Sequence, residues 1–156
     1  MKASALTWKA SETAESNARR VLPRIMREYF KAGRKLVHGS SPGAMHRFRL
    51  KTKRLRYTLE AFIPVLGAGL QPRLQTLRLI QNTLGDLNDC EVLLAEMGKR
   101  LPRNIRTAVV ERAEEKRKEF LHYWRGQFDA ADEDTKWEKF LTRSVRTGKA
   151  RRKSRS

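Results

Sequence analysis

Between Pro42 and Ile63 the chain reads PGAMHRFRLKTKRLRYTLEAFI, and this stretch constrains the fold more than any other. Met45, Phe48, Thr52, Leu55, Leu59 and Phe62 recur at steps of three and four, the mark of one buried helical stripe. His46, Arg49, Lys53, Arg56 and Glu60 recur at the same steps. At about 100° per residue these five fall within an arc of roughly 80°, beside the apolar stripe and partly overlapping it. The spacing therefore predicts a row of cations at the edge of a core, a shape that can grip an extended polyanion.

The rest of the chain reads as further helices. Residues 1–10 are expected to be loose. From about Ser11 to Val37 apolar positions recur at Ala14, Ala18, Val21/Leu22, Ile25, Tyr29, Gly33 and Leu36, and Pro23 should kink this helix or mark a second start. Gly39 suits the position after a helix end, and Ser41-Pro42 suits the cap and first position of the next. Pro64 is expected to end the second helix. A third runs from about Pro72 to Gly98, with Leu74, Leu77, Gln81, Leu84, Asn88 and Glu91 on one arc. Gly85 inside it costs about 1 kcal/mol against Ala, which suggests that another helix approaches closely there. A fourth runs from about Pro102 to Phe128, with Ile105, Val109, Arg112/Ala113, Lys116, Phe120 and Trp124 on its inner side, and a short last helix carries Trp137, Phe140 and Leu141. The expectation is an all-α, antiparallel bundle of about four long helices plus a short C-terminal helix over 11–142, followed by a basic, disordered tail over 143–156.

Charge decides what such a bundle can bind. Lys+Arg is 35 and Asp+Glu is 17, for a formal net charge of +18. The stretch 143–156 holds seven Lys/Arg and no acid, leaving +11 on residues 1–142. The folded part is therefore basic in its own right and favours anionic partners. A single cysteine, Cys90, excludes an intrachain disulfide and reads as a small buried residue. No stretch approaches the roughly 18 apolar residues of a membrane span, so the expectation is a soluble cytoplasmic protein without membrane partners.

Two stretches, in order, resemble the signatures of a known family. His46-Arg-Phe-Arg49-Leu-Lys-Thr-Lys53-Arg54-Leu55-Arg56-Tyr57-Thr-Leu-Glu60 resembles the signature helix of the CHAD domain, the conserved-histidine α-helical domain. Gln81-Asn-Thr-Leu84-Gly85-Asp86-Leu87-Asn88-Asp89-Cys-Glu-Val92-Leu93 resembles its second signature. The resemblance implies an all-α fold that binds inorganic polyphosphate through a basic surface, and adds an association with polyphosphate granules. Carried over, the phosphate contacts are Arg49, Lys53, Arg54 and Arg56 with His46 beside them; apart from the resemblance, the basic first helix is expected to assist through Arg20 and Arg27. Tyr57, Glu60, Asp86, Asn88 and Asp89 are the supporting residues. Family members usually hold two such halves with the groove between them, and this chain holds one. Homodimerisation would complete the groove; a half-domain with weak binding is the alternative.

The plainer reading of the row is a solvated basic face with Glu60 and Asp89 as ion-pair partners. Arginine nonetheless suits phosphate through its planar fork, and a chain of phosphates gains from each counterion released. His46 has Arg49 and Leu50 at i+3 and i+4 rather than a ligand, and its cationic neighbours oppose a metal. No cofactor is implied, and neither a Gly-rich phosphate loop nor an aromatic stacking ladder accompanies the row. Asp86, Asn88 and Asp89 are read as orienting the row rather than as ligands of Mg²⁺. The leading expectation is a non-enzymatic polyphosphate-binding module. The alternatives are a nucleic-acid-associated protein using the same face, an enzyme of polyphosphate metabolism, and a helical adaptor whose charge is incidental.

Overall fold

The computed structural model describes residues 8–39, 41 and 43–142. The proposed tail 143–156 and Pro42 lie outside the described residues. Helix α1 spans Ala14–His38, α2 Ala44–Ala61, α3 Ile63–Leu66, α4 Leu70–Met97 and α5 Arg103–Tyr123. A π-turn over Trp124–Phe128 prolongs α5, and α6 covers 133–142. The architecture is an all-α helical bundle, with no strand among the described residues.

Each long helix exists because one stripe of it is buried in a common core. Met45, Phe48, Thr52, Leu55 and Leu59 of α2 are all buried, as their spacing requires. From α1 come Ala18, Leu22, Met26, Tyr29, Phe30 and Leu36; from α4 come Leu70, Leu74, Leu77, Ile80, Leu84 and Leu87. Phe120 of α5, Trp124 and Phe128 of the π-turn, and Trp137 and Leu141 of α6 close the core from the C-terminal side. The backbone amide of Asp129 bonds the Trp124 carbonyl at 2.7 Å, an i→i+5 closure. The wider turn brings both aromatic residues of the π-turn inward, and their rings stack at 4.9 Å.

Two fully buried polar residues, Thr52 and Asn17, are tied by hydrogen bonds. Thr52 donates to the Phe48 carbonyl (2.9 Å), so its single hydroxyl proton is used and Tyr29 must be the donor in the 2.9 Å Tyr29–Thr52 bond. Burial pushes the Tyr29 phenol well above its ordinary pKa. Asn17 is fully buried and pins the chain before α1: it donates to the carbonyls of Lys9, Glu12 and Thr13 and accepts from the Lys9 amide. Residues 8–10, expected to be loose, are therefore docked, and the ring of Trp8 lies 6.1 Å from Phe62.

Several boundaries differ from the sequence-based expectation. Pro23 sits inside one uninterrupted α1 and starts no second helix. Gly39 is extended (φ 169°) rather than left-handed, and α2 begins at Ala44 because Gly43 takes the left-handed turn (φ 81°). Pro64 lies in the first turn of α3, where its missing amide costs nothing, so α2 has already ended at Ala61 and Phe62 lies beyond it. Ile105, expected on the inner side of the fourth helix, is 45% exposed.

α6 is fastened to α1 and α4 by charge as well as by Trp137. Arg34 forks onto Asp129 (Nε–Oδ2 2.9 Å, Nη2–Oδ1 2.7 Å) and reaches Asp134 at 2.9 Å. Arg73 of α4 lies over the rings of Trp137 (4.9 Å) and Phe140 (4.5 Å). The hydrogen bond from Arg34, with a second from the Thr135 amide, holds the Asp134 carboxyl below the usual carboxylate range. A carboxyl whose folded pKa is depressed stabilises the fold above its unfolded pKa. That contribution is lost as pH falls through the folded value. Stability of the wild-type chain should therefore fall more steeply than that of Arg34→Gln as the solution is acidified from about pH 5 to pH 2. Parallel acid-denaturation curves would remove Arg34 from the fastening of α6.

Candidate anion-binding site

The α2 row lies where its spacing places it. His46, Arg49, Lys53, Arg56 and Glu60 are all half-buried, between the core stripe and solvent. α4 packs against this edge, and its register is antiparallel: Gly85 faces Arg49, Gln81 bonds Arg56, and Arg78 reaches Glu60. The close approach suggested by Gly85 is made by the Arg49 side chain. A Cβ built at position 85 would sit 3.4 Å from Arg49 Nε.

The row divides into a closed end and an open end. At the closed end Arg56 donates Nε to Gln81 Oε1 (3.0 Å) and Nη1 to Glu60 Oε1 (2.6 Å), while its guanidinium lies 4.4 Å from the Tyr57 ring centre. Arg78 adds a second contact to the same Glu60 oxygen at 3.2 Å and a hydrogen bond to Gln75. Arg56 is a tied structural group whose side chain is 14% exposed. At the open end are His46, Arg49 and Lys53. His46 Nδ1 and Arg49 Nε are buried and have no hydrogen-bond partner among the described residues. Lys53 makes no ion pair among the described residues, and its ammonium lies 5.8 Å from the Tyr57 ring centre.

This asymmetry is chemical information. An unpartnered buried polar atom costs about 1–3 kcal/mol relative to a bonded one. The two atoms belong to residues one helical turn apart, and Lys53, which makes no ion pair among the described residues, lies one turn further along the same row. Neutral Gln81 and side-chain-free Gly85 are what keep α4 from cancelling the charge.

Other sequence-predicted residues lie elsewhere. Arg54 is exposed and lies about 100° around α2 from Lys53, where it lines a groove against α1 rather than the row. Arg27 pairs with Glu138 of α6 at 2.7 Å, and Arg20 with Glu12 at 3.1 Å and Asn17 at 2.7 Å. Asp86 does not orient the row; it faces α5, 3.6 Å from Lys116 and 3.9 Å from Arg112. Asp89 is exposed and makes no ion pair among the described residues. Asn88 is half-buried, one turn beyond Gly85 on α4. Arg78 and Gln81 are the functional neighbours that sequence reasoning missed. The available signal was an amide, Gln81, on the arc of Leu74, Leu77 and Leu84.

Gly85 offers a graded test of the geometry. Gly85→Ala should fit at ordinary contact distance and raise stability by up to about 1 kcal/mol through helix propensity. Gly85→Leu should push the Arg49 guanidinium aside. Anion affinity should then fall severalfold in Gly85→Leu and stay near wild type in Gly85→Ala; equal affinities would separate Gly85 from the site.

Among the described residues no helix is long and apolar enough to cross a membrane. No curated protein and no solved structure matches the chain. The family model described as CHAD domain matches residues 1–98, a span that includes the whole α2 row and the α4 stripe facing it. Residues 103–142 lie beyond the match and supply Phe120, Trp124, Phe128, Trp137 and Leu141 to the same core. With close to two thirds of its length matched, the chain belongs to the CHAD domain family, which is associated in general with polyphosphate binding.

Proposed function

We propose that this protein is a non-enzymatic module that binds inorganic polyphosphate, and that the open end of the α2 row is where it does so. The carrying observation is the pair of buried nitrogens without a partner among the described residues, His46 Nδ1 and Arg49 Nε, on the same row as Lys53, which makes no ion pair there. Successive phosphoryl groups of an extended chain would follow His46, Arg49 and Lys53 along α2. Arg56, held by Gln81 and Glu60, shapes the end of the track and adds its field without reorganising. Residues 11–142 form the binding domain in this reading, and the basic tail adds long-range attraction. A cytoplasmic setting, with association to polyphosphate granules, goes with it.

A site of this kind is tested by competition. Labelled long-chain polyphosphate bound to the purified protein is displaced by duplex DNA, RNA or heparin at matched charge, at two salt concentrations. Polyphosphate should outcompete each of the others by tenfold or more, about 1.4 kcal/mol, and affinity should fall steeply with salt as bound counterions are released. Equal competition by all four polyanions would reduce the row to a charge patch and favour nucleic-acid association.

A further inference from the structure

A second basic feature lies on the opposite flank of α2. Arg47, Lys51 and Arg54 recur at steps of four and three and share one face, away from the His46 row. With Ala44, Phe48 and Leu50 of α2 and Ala32, Lys35 and Leu36 of α1 they line a groove of about 660 Å³. Among the described residues no acidic side chain lines it. Lys35, Arg47, Lys51 and Arg54 make no ion pair among the described residues, where Arg20, Arg27, Arg34, Arg56, Arg78 and Arg117 all do. Arg47 makes only a long bond, 3.4 Å, to the Ser41 hydroxyl.

The form of the groove selects its occupant. Cations stand on both banks, Lys35 on α1 and the other three on α2, with an apolar floor between them. Ala44 to Arg54 spans about 15 Å along the helix axis. Inorganic polyphosphate would use the banks and leave the floor unused. A flat bilayer surface would meet the exposed cations and miss Leu36 and Phe48, which are 7% and 4% exposed at the bottom. A ligand with an apolar stripe about three turns long and acidic groups on both sides of it uses every wall. We infer that the α1–α2 groove docks an acidic amphipathic helix of a partner protein, in the manner of a helix laid in a groove by anchors at i, i+3, i+4 and i+7. Leu50, 36% exposed, is the contact on the open side of the floor.

The test uses the full chain and a synthetic helical peptide with leucine at i, i+3, i+4 and i+7, glutamate on both flanks, and a scrambled peptide of identical composition. Fluorescence anisotropy at fixed salt should show the patterned peptide binding at least tenfold more tightly than the scrambled one. Leu50→Asn, which changes no charge and replaces a partly exposed residue, should weaken the patterned peptide at least fivefold and leave polyphosphate affinity within twofold. Lys51→Gln/Arg54→Gln should weaken the peptide about tenfold. Equal binding of the two peptides, or an unchanged peptide affinity in Leu50→Asn, would overturn the inference. So would anionic phosphatidylserine vesicles displacing the patterned peptide while losing their own binding in Leu50→Asn. Because this groove and the His46 row share no residue, a failed peptide test leaves the polyphosphate competition unaffected.

Discussion

Arg49→Glu/Lys53→Glu is expected to lose polyphosphate binding by at least 100-fold, about 2.8 kcal/mol at 1.4 kcal/mol per decade, while keeping its circular dichroism spectrum and melting temperature close to wild type. Two of the three open-end donors disappear, and two carboxylates stand where phosphate oxygens would lie. The salt slope of the residual binding should fall as well, because each lost contact releases fewer counterions. The fold survives because α2 is held by its other face, through Met45, Phe48, Thr52, Leu55 and Leu59. Arg49 Nε has no hydrogen-bond partner among the described residues, so the substitution breaks no bond at that atom there. The matched control is Arg20→Glu/Arg27→Glu, which makes the same change in net charge on α1. Arg27 and Glu138 are 58% and 50% exposed, so breaking that pair costs at most about 1 kcal/mol. The control should lower affinity severalfold at most. If both double variants lose binding equally, net charge and not the α2 row governs the affinity.

What could be read from the sequence follows from what a single helix encodes. The five buried positions of α2 and the half-buried row beside them are properties of one periodicity, and both are legible in residues 44–61. Gly85 was legible as a close approach because an interior glycine is costly unless another group needs the space. The partner that fills it, Arg49, was not, because pairing between α2 and α4 depends on their relative register. For the same reason neither Gln81, the acceptor for Arg56, nor Arg78, which reaches Glu60, could be paired with α2 from the sequence. Asp86 and Asp89 sit in a stretch that looks like a counterpart for the basic helix. One turns to α5 and the other to solvent, because the face of α4 that meets α2 carries Arg78, Gln81 and Gly85 instead. Arg54 shows the limit of carrying residues over from a motif. It is adjacent to Lys53 in sequence, and adjacency in a helix separates side chains by about 100°. Asn17 could not be singled out among polar helix residues, since its role is to bond backbone that lies before the helix.

Trp124→Ala should be the most destabilising single change in the core, by about 3–5 kcal/mol, against a typical domain stability of 5–15 kcal/mol. The indole is 1% exposed, and its ring centre lies between 4.9 and 6.1 Å from those of Tyr29, Phe30, Phe48, Phe120 and Phe128. It thereby joins α1, α2 and α5 at one point. Gly33 of α1 exists to admit it: a Cβ there would run into the Trp124 ring at Cζ2 and Cη2. Gly33→Ala alone should therefore destabilise the fold by about 1–3 kcal/mol despite alanine's higher helix propensity. In the Trp124→Ala background the obstruction is gone, so the same Gly33→Ala change should become neutral or stabilising by up to about 1 kcal/mol. Trp124→Phe should cost less than its lost volume implies, because the Trp124 Nε1 donor is buried without a partner among the described residues and is deleted with the ring. Urea denaturation of the four members of the Gly33/Trp124 cycle measures this directly. Additive effects would mean that α1 and the π-turn do not meet at Gly33, and the placement of the whole C-terminal half against the core would have to be redrawn.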